Sequence, residues 1–433
     1  MGRGLGVQNE YHMNLKRGCM VLLLFIFAPK ISFAKLQLEG VFPTILTPLS
    51  SQGVINGAAL REEIDFVMNN GASGIFLLGS IGEGHYLPID LREGVIRIAK
   101  EALGSRGKLI VNISSFDTNT AIAHAAQAKR LGADFLSVQI PTFYEIKLES
   151  VLKHIQKLVE IGLPVLYYDY QEATNLVLNE NQMEEVLLTE GVVGAKITSL
   201  QFPGVRDLVH RVLQVKPDLA LFTGTVFNLK WFLDLGGAGV IDPVSLFEPE
   251  AASRLIAKYR EAYRSGRGRR RELLGEVDSL QGYLDGYLPF FQNAWSDPVI
   301  LSNFLNSVGK IFGVEIGRVS YHSRSKYLLN RRGFLMPVVV SEPLPQLSAK
   351  DVEIVSALER YLPGIAATHN LSLGSRAPLP LVASEPPQHL RGPSQLKPFQ
   401  LVKRQRSSPV LNLIRHRRQA GKKFLPRFQG REV

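Results

Sequence analysis

From Leu38 to about Ala262, short apolar runs alternate with stretches whose apolar residues recur at helical spacing. The runs are GVFPTILTPL, GIFLLGS, LIVNIS, FLSVQI, PVLYYDY, GVVGAKIT, LALFTGT and GAGVIDPV. Between them, Leu60, Ile64, Val67 and Met68 form one stripe, and Leu148, Val151, Leu152, Ile155, Leu158 and Val159 form another. Strands that are apolar on both faces and separated by amphipathic helices predict a parallel α/β sheet covered by helices. Eight such units fit a closed (β/α)8 TIM barrel better than an open sheet, because no Gly-rich dinucleotide turn follows the first run. A doubly wound sheet is the alternative.

In a barrel of this kind the active site forms at the C-terminal ends of the strands. That rule selects Ser80 and Glu83 in GSIGE, Tyr168 and Asp169 at the end of the fifth run, Lys196 in the sixth, Gly224 and Thr225 in the seventh, and Ile241 in the eighth. Lys196 raises the sharpest chemical question, since its neighbours are Val192, Val193, Ala195 and Ile197. An isolated buried ammonium costs several kcal/mol, so an inward lysine must pair with a carboxylate or lose its proton. A lysine deprotonated in this way is a nucleophile that can form a Schiff base with a carbonyl compound. The alternative is a strand-end lysine that ends in solvent or snorkels outward.

Charge changes this picture only at one end. The formal net charge is +11 over 433 residues. Residues 368–433 hold 13 Lys/Arg against 2 Asp/Glu and carry all of it, leaving residues 1–367 neutral. This basic tail is rich in Pro and Ser, cannot bury a core and is expected to be disordered; it could bind anionic surfaces weakly, without specificity for nucleic acid. The single cysteine, Cys19, excludes intrachain disulfides and cysteine-built metal clusters, and the nine histidines show no HExxH and no close pair. No ligand set for a metal-dependent mechanism is visible, and a Schiff-base lysine, if Lys196 is one, needs no metal or organic cofactor.

The N-terminus places Lys16 and Arg17 before an apolar run from Met20 to Ala28, then Ser32-Phe33-Ala34. This reads as a signal peptide over 1–34 and points to a secreted or periplasmic protein, with an organellar transit segment or an upstream extension as alternatives; retention in the cytoplasm would follow from the last. The resulting division is 1–34 signal peptide, 35–265 barrel, 266–366 helical C-terminal extension and 367–433 tail. Within the extension, 272–310 and 349–361 look helical and 311–347 is mixed.

Taken together and in order, GSIGE at 79–83, YYD at 167–169, GAKIT at 194–198 and LGGAGVI at 235–241 resemble the dihydrodipicolinate synthase / N-acetylneuraminate lyase family of class I aldolases. The separation of Tyr168 from Lys196 matches that family. The resemblance implies that Lys196 forms a Schiff base with pyruvate or a related 2-oxo acid, and that Tyr168 carries the proton beside it. It implies that Ser80 and the backbone near Ser80 and Ile81 hold the substrate carboxylate, while Gly224 and Ile241 line the site. A further relay tyrosine, usually lent by a neighbouring subunit, falls on Phe143 or Tyr144, with Tyr144 preferred. A homo-oligomer, dimer or tetramer, is implied as well. Glu83 reads as structural, satisfying backbone donors near the loop, and His85 as a packing or surface residue that could also reach a substrate hydroxyl.

Two departures narrow the reaction. The second hydroxyl residue of the turn is Ile81 here, and the arginine that anchors the aldehyde's carboxylate in the synthases is Ala173. The expected activity is therefore an aldolase or lyase that makes or breaks a C–C bond between a 2-oxo acid and an aldehyde, rather than dihydrodipicolinate synthesis. A non-catalytic 2-oxo-acid-binding relative and a basic-tail adaptor are the competing readings.

Overall fold

A computed structural model describes residues 38–198, 204–288, 321–359 and 362. The leader at 1–34, the tail at 367–433 and the part of the helical reading at 289–310 lie outside the described residues.

All eight apolar runs contain strands: β1 Gly40–Val41, β2 Gly74–Leu77, β3 Lys108–Asn112, β4 Phe135–Val138, β5 Val165–Asp169, β6 Val192–Ile197, β7 Ala220–Thr223 and β8 Gly239–Val240. They form one parallel sheet in the order β1-β8-β7-β6-β5-β4-β3-β2. The ring is closed between β1 and β2 by a parallel bridge from Thr44 to Phe76, with Ile45 N–H donating to the Phe76 carbonyl at 3.0 Å. The barrel reading holds, and the open-sheet alternative falls with that closure.

Helices cover the outside: α1 Gly57–Asn69, α2 Ile89–Leu103, α3 Thr118–Arg130, α4 Leu148–Val159, α5 Gln171–Thr174, α6 Glu180–Leu188, α7 Val205–Val215, α8 Leu229–Asp234, α9 Val244–Phe247, α10 Pro249–Arg264, α11 Arg267–Asp285, α12 Tyr321–Arg331 and α13 Ala349–Glu359. Their starts are written locally. Asn56 and Asp117 cap α1 and α3 by accepting from the third residue on, and Asn179 with Gln182 forms a reciprocal capping box on α6. In α4 the expected stripe buries Val151, Ile155 and Leu158 against the sheet, each worth about 1.5–3 kcal/mol.

The apolar residues divide into two clusters. One lies between helices and sheet; the other fills the barrel with Phe42, Phe76, Ile110, Phe135, Leu166, Tyr168, Phe222 and Ile241. Helix α12 falls within the stretch read as mixed from the sequence, and it brings His322 and Lys326 against the turn that follows β2.

Candidate active site

Lys196 faces the barrel interior because β6 breaks register. Val165 pairs with Val192, but Leu166 pairs with Gly194, so one residue of β6 is skipped. Strict alternation from Val192, which packs against the outer helices, would have sent Lys196 outward too. The skipped residue reverses the facing. Ala195 and Ile197 then join the outer core, while Lys196 sits beside Tyr168 and Phe222, its register partners on β5 and β7. Gly194 permits this, since a Cβ there would lie 2.3 Å from the Ala220 carbonyl oxygen.

The resulting environment is nearly dry. Lys196 is 3% exposed, and its Nζ lies 4.3 Å from the Tyr168 ring centre and 5.1 Å from that of Phe76. Burial pulls its ammonium down to about 7, against an opposing pull from the Asp242 carboxylate. Asp242 is buried at the end of β8 and accepts from the backbone N–H groups of Val226, Val244 and Ser245 at 3.0–3.1 Å. Burial pushes this carboxyl upward, and those donors hold it down. Tyr168 is buried and its phenol is pushed up to about 12 by burial, with the hydroxyls of Ser80 and Thr198 opposing. At neutral pH the site therefore offers an amine with a substantial neutral fraction beside a protonated phenol.

The Tyr168 hydroxyl lies 3.2 Å from Ser80 Oγ, which connects β5 to the turn after β2. Leu78 and Glu83 in that turn adopt left-handed backbone, with φ of 58° and 59°. Its carbonyls are tied down one after another: Ser80 accepts from Glu83 N–H and from His322 Nε2, Gly82 from Thr47 Oγ1, and Gly84 from Arg92. The N–H groups of Ser80 and Ile81 donate to no described residue. Backbone donors gathered this way form a concavity that suits an anion.

The structure thus brings Lys196, Tyr168, Ser80 and Ile81 to one end of the barrel. Ile241 is fully buried within the interior cluster, and Gly224 donates its N–H to the Ile197 carbonyl at 2.7 Å, with Thr198 where a Cβ would go. Tyr144 is not brought in by its own chain. It is 81% exposed on the loop after β4, where it bonds only Thr142 among the described residues. Glu83 is structural as expected, but its partners come from far along the chain: Ser341 N–H donates to Oε2, and Lys326 pairs with Oε1. His85 is held by Gln139 at 2.8 Å.

Several groups escaped the sequence reading. Asp242 carried a usable signal, a carboxylate inside the apolar run GAGVIDPV, and the argument that singles out Lys196 applies to it equally. Asn112 and Ser137, register partners on β3 and β4, lie two residues beyond the interior-facing Ile110 and Phe135 and extend the inward polar face. His322 and Lys326 carried no local signal.

A model of the dihydrodipicolinate synthetase family matches residues 37–270. The chain belongs to that family. Its members are class I lyases and aldolases, in line with an inward lysine on the sixth strand. Relatives of the chain include the 4-hydroxy-tetrahydrodipicolinate synthase of Protochlamydia amoebophila, 26% identical over 222 residues, covering 51% of this chain and 74% of that protein. A probable 2-dehydro-3-deoxy-D-pentonate aldolase of Escherichia coli K12 is 26% identical over 227 residues, 52% of this chain and 75% of that protein. An N-acetylneuraminate lyase of Escherichia coli is 29% identical over 190 residues, 43% of this chain and 63% of that protein. Among solved structures, YagE, a prophage protein of the dihydrodipicolinic acid synthase family from Escherichia coli K12 in complex with pyruvate, superposes with a TM-score of 0.61 at 19% identity, covering 75% of this chain and 98% of that one. The N-acetylneuraminate lyase of Fusobacterium nucleatum gives 0.58 at 21% identity, covering 75% and 99%. At such identities the structural likeness carries the barrel fold alone.

Proposed function

We propose that this protein is a Schiff-base aldolase or lyase that joins a 2-oxo acid such as pyruvate to an aldehyde, or cleaves the product. The observation that carries the reading is the desolvated Lys196 beside the Tyr168–Ser80 hydroxyl pair. In this mechanism the neutral Nζ attacks the C2 carbonyl carbon. Tyr168 gives a proton to the developing alkoxide, takes one back from the nitrogen, and gives it again as the hydroxyl leaves as water; the iminium's positive charge is then matched by the Tyr168 phenolate, which is reprotonated by the proton that C3 loses in the next step. The iminium draws electrons from C3, which loses a proton to give an enamine that attacks the aldehyde; in reverse, the C3–C4 bond breaks and its electrons enter the same sink. The substrate carboxylate lies against the Ser80 and Ile81 N–H groups.

With Ala173 in place of the anchoring arginine, the reading favours an aldehyde without a carboxylate at that position. Tyr144 enters the relay through a second copy of the chain. That assignment is supported by the exposed face beside it, where the Phe116 and Phe143 rings stack at 4.8 Å while remaining 63% and 78% exposed. The test is release of pyruvate from a panel of 4-hydroxy-2-oxo acids, followed by coupled reduction of the pyruvate. Release by the wild type and none by Lys196→Ala is expected; failure across the panel in both directions, with no imine detected, would favour the non-catalytic binding relative.

A further inference from the structure

The Ser80–Ile81 peptide is gripped from a distant part of the chain. His322, near the start of α12, donates from Nε2 to the Ser80 carbonyl at 2.8 Å. One turn further along, Lys326 is ion-paired with Glu83 of the same turn, with both side chains fully buried, and it also donates to the Val339 carbonyl. Ser341 N–H donates to the second Glu83 oxygen. Residues 322–341 therefore hold the turn at two points, the carbonyl of residue 80 and the carboxylate of residue 83. All of them lie beyond the 37–270 stretch that the family model matches.

A trans peptide is planar, with its N–H antiparallel to its C=O. A Ser80 carbonyl held toward His322 therefore aims the Ile81 N–H to the opposite side of the turn. Donation to the carbonyl also polarises the amide and makes that N–H a stronger donor, through the cooperativity of linked hydrogen bonds. The contact needs only a hydrogen on Nε2, which the Nε2–H neutral tautomer and the imidazolium both supply. Burial pulls the ring below the usual imidazole range and Lys326 adds to this, while Glu83 and the bond to the Ser80 carbonyl oppose it; the grip survives in either state.

We propose that His322 is a positioning residue of the 2-oxo-acid carboxylate site, fixing and polarising the Ser80–Ile81 peptide so that the Ile81 N–H receives the substrate carboxylate. The inference rests on the Schiff-base reading above. It separates two functions within the site: His322 governs how tightly the oxo acid is held, and Lys196 with Tyr168 governs how fast the imine forms.

The experiment is pyruvate-dependent borohydride trapping at Lys196 in the full chain, read by peptide mass spectrometry, for wild type, His322→Ala, His322→Gln and His322→Met. The alanine and methionine variants should need about three- to tenfold more pyruvate for half-maximal trapping, with the maximal rate within about twofold of wild type. His322→Gln, which keeps an N–H donor at similar reach, should return toward the wild-type concentration. A purely structural role would lower thermal stability without separating the half-saturating concentration from the maximal rate, and without distinguishing Gln from Met. If the alanine variant does not fold, the Gln–Met pair, matched in length, decides the matter. Equal half-saturating concentrations in those two variants overturn the inference while leaving the Schiff base intact. A wild type that gives no adduct removes the underlying reading, and the inference with it.

Discussion

A lysine buried as Lys196 is should weaken the fold, by an amount that follows from its burial. Its ammonium titrates near 7 inside the barrel, against about 10.4 for an unfolded lysine. Between those values the folded protein binds fewer protons than the unfolded chain, so wild-type stability rises with pH across that window. The cost is largest below pH 7, about 4 kcal/mol at pH 7, about 2 kcal/mol at pH 9, and gone above about pH 10.5. Lys196→Met keeps an apolar side chain of similar length and leaves Asp242 with its three backbone donors. The variant should lose imine formation and yet be more stable than wild type by up to about 4 kcal/mol at pH 7, with an advantage about half as large at pH 9. Urea unfolding followed by intrinsic fluorescence at pH 6.5, 7.5 and 9 measures it. A methionine variant no more stable than wild type at neutral pH, or an advantage that does not shrink as pH rises, would show that Lys196 is not desolvated in the native state.

Tyr168→Phe keeps the ring packed edge-on against Phe76 and removes only the hydroxyl; the imine-forming rate should fall at least about 100-fold with little change in melting temperature, as read by trapping kinetics and calorimetry. Lys326→Met leaves Glu83 buried without its counter-charge and should destabilise the protein by about 3–5 kcal/mol, whereas adding Glu83→Gln should recover part of that loss in the same denaturation assay. Gly194→Ala forces a Cβ against the Ala220 carbonyl oxygen, so both thermal stability and labelling of Lys196 should drop together; a variant that labels normally would show that the register break does not depend on glycine.

Apolar periodicity made the barrel legible because the strands are buried on both faces and the long covering helices bury one stripe. The strand-end rule then brought Lys196, Tyr168 and Ser80 together without any knowledge of contacts. Periodicity could not tell whether Lys196 points in or out, since the decisive feature is a skipped residue in the β5–β6 pairing, and register is a property of two strands rather than one. Asp242 stood out as an acid within an apolar run, but the backbone N–H groups of Val226, Val244 and Ser245 that hold it are not visible in that run alone. His322 and Lys326 lay further out of reach. Their roles depend on contacts across more than 240 positions, in a stretch whose pattern is neither clearly helical nor clearly extended. Tyr144 shows another limit: the sequence left the choice between Phe143 and Tyr144 open, and both are exposed on the loop after β4.

The central claim is that Lys196 is a buried amine that forms an imine with a 2-oxo acid. It is tested most directly by reducing the protein with borohydride in the presence of pyruvate at a series of pH values and mapping the adduct by peptide mass spectrometry. The account predicts modification confined to Lys196, rising with an inflection near pH 7 and lost in Lys196→Ala. Labelling spread over surface lysines, or labelling at Lys196 only near pH 10, would contradict it.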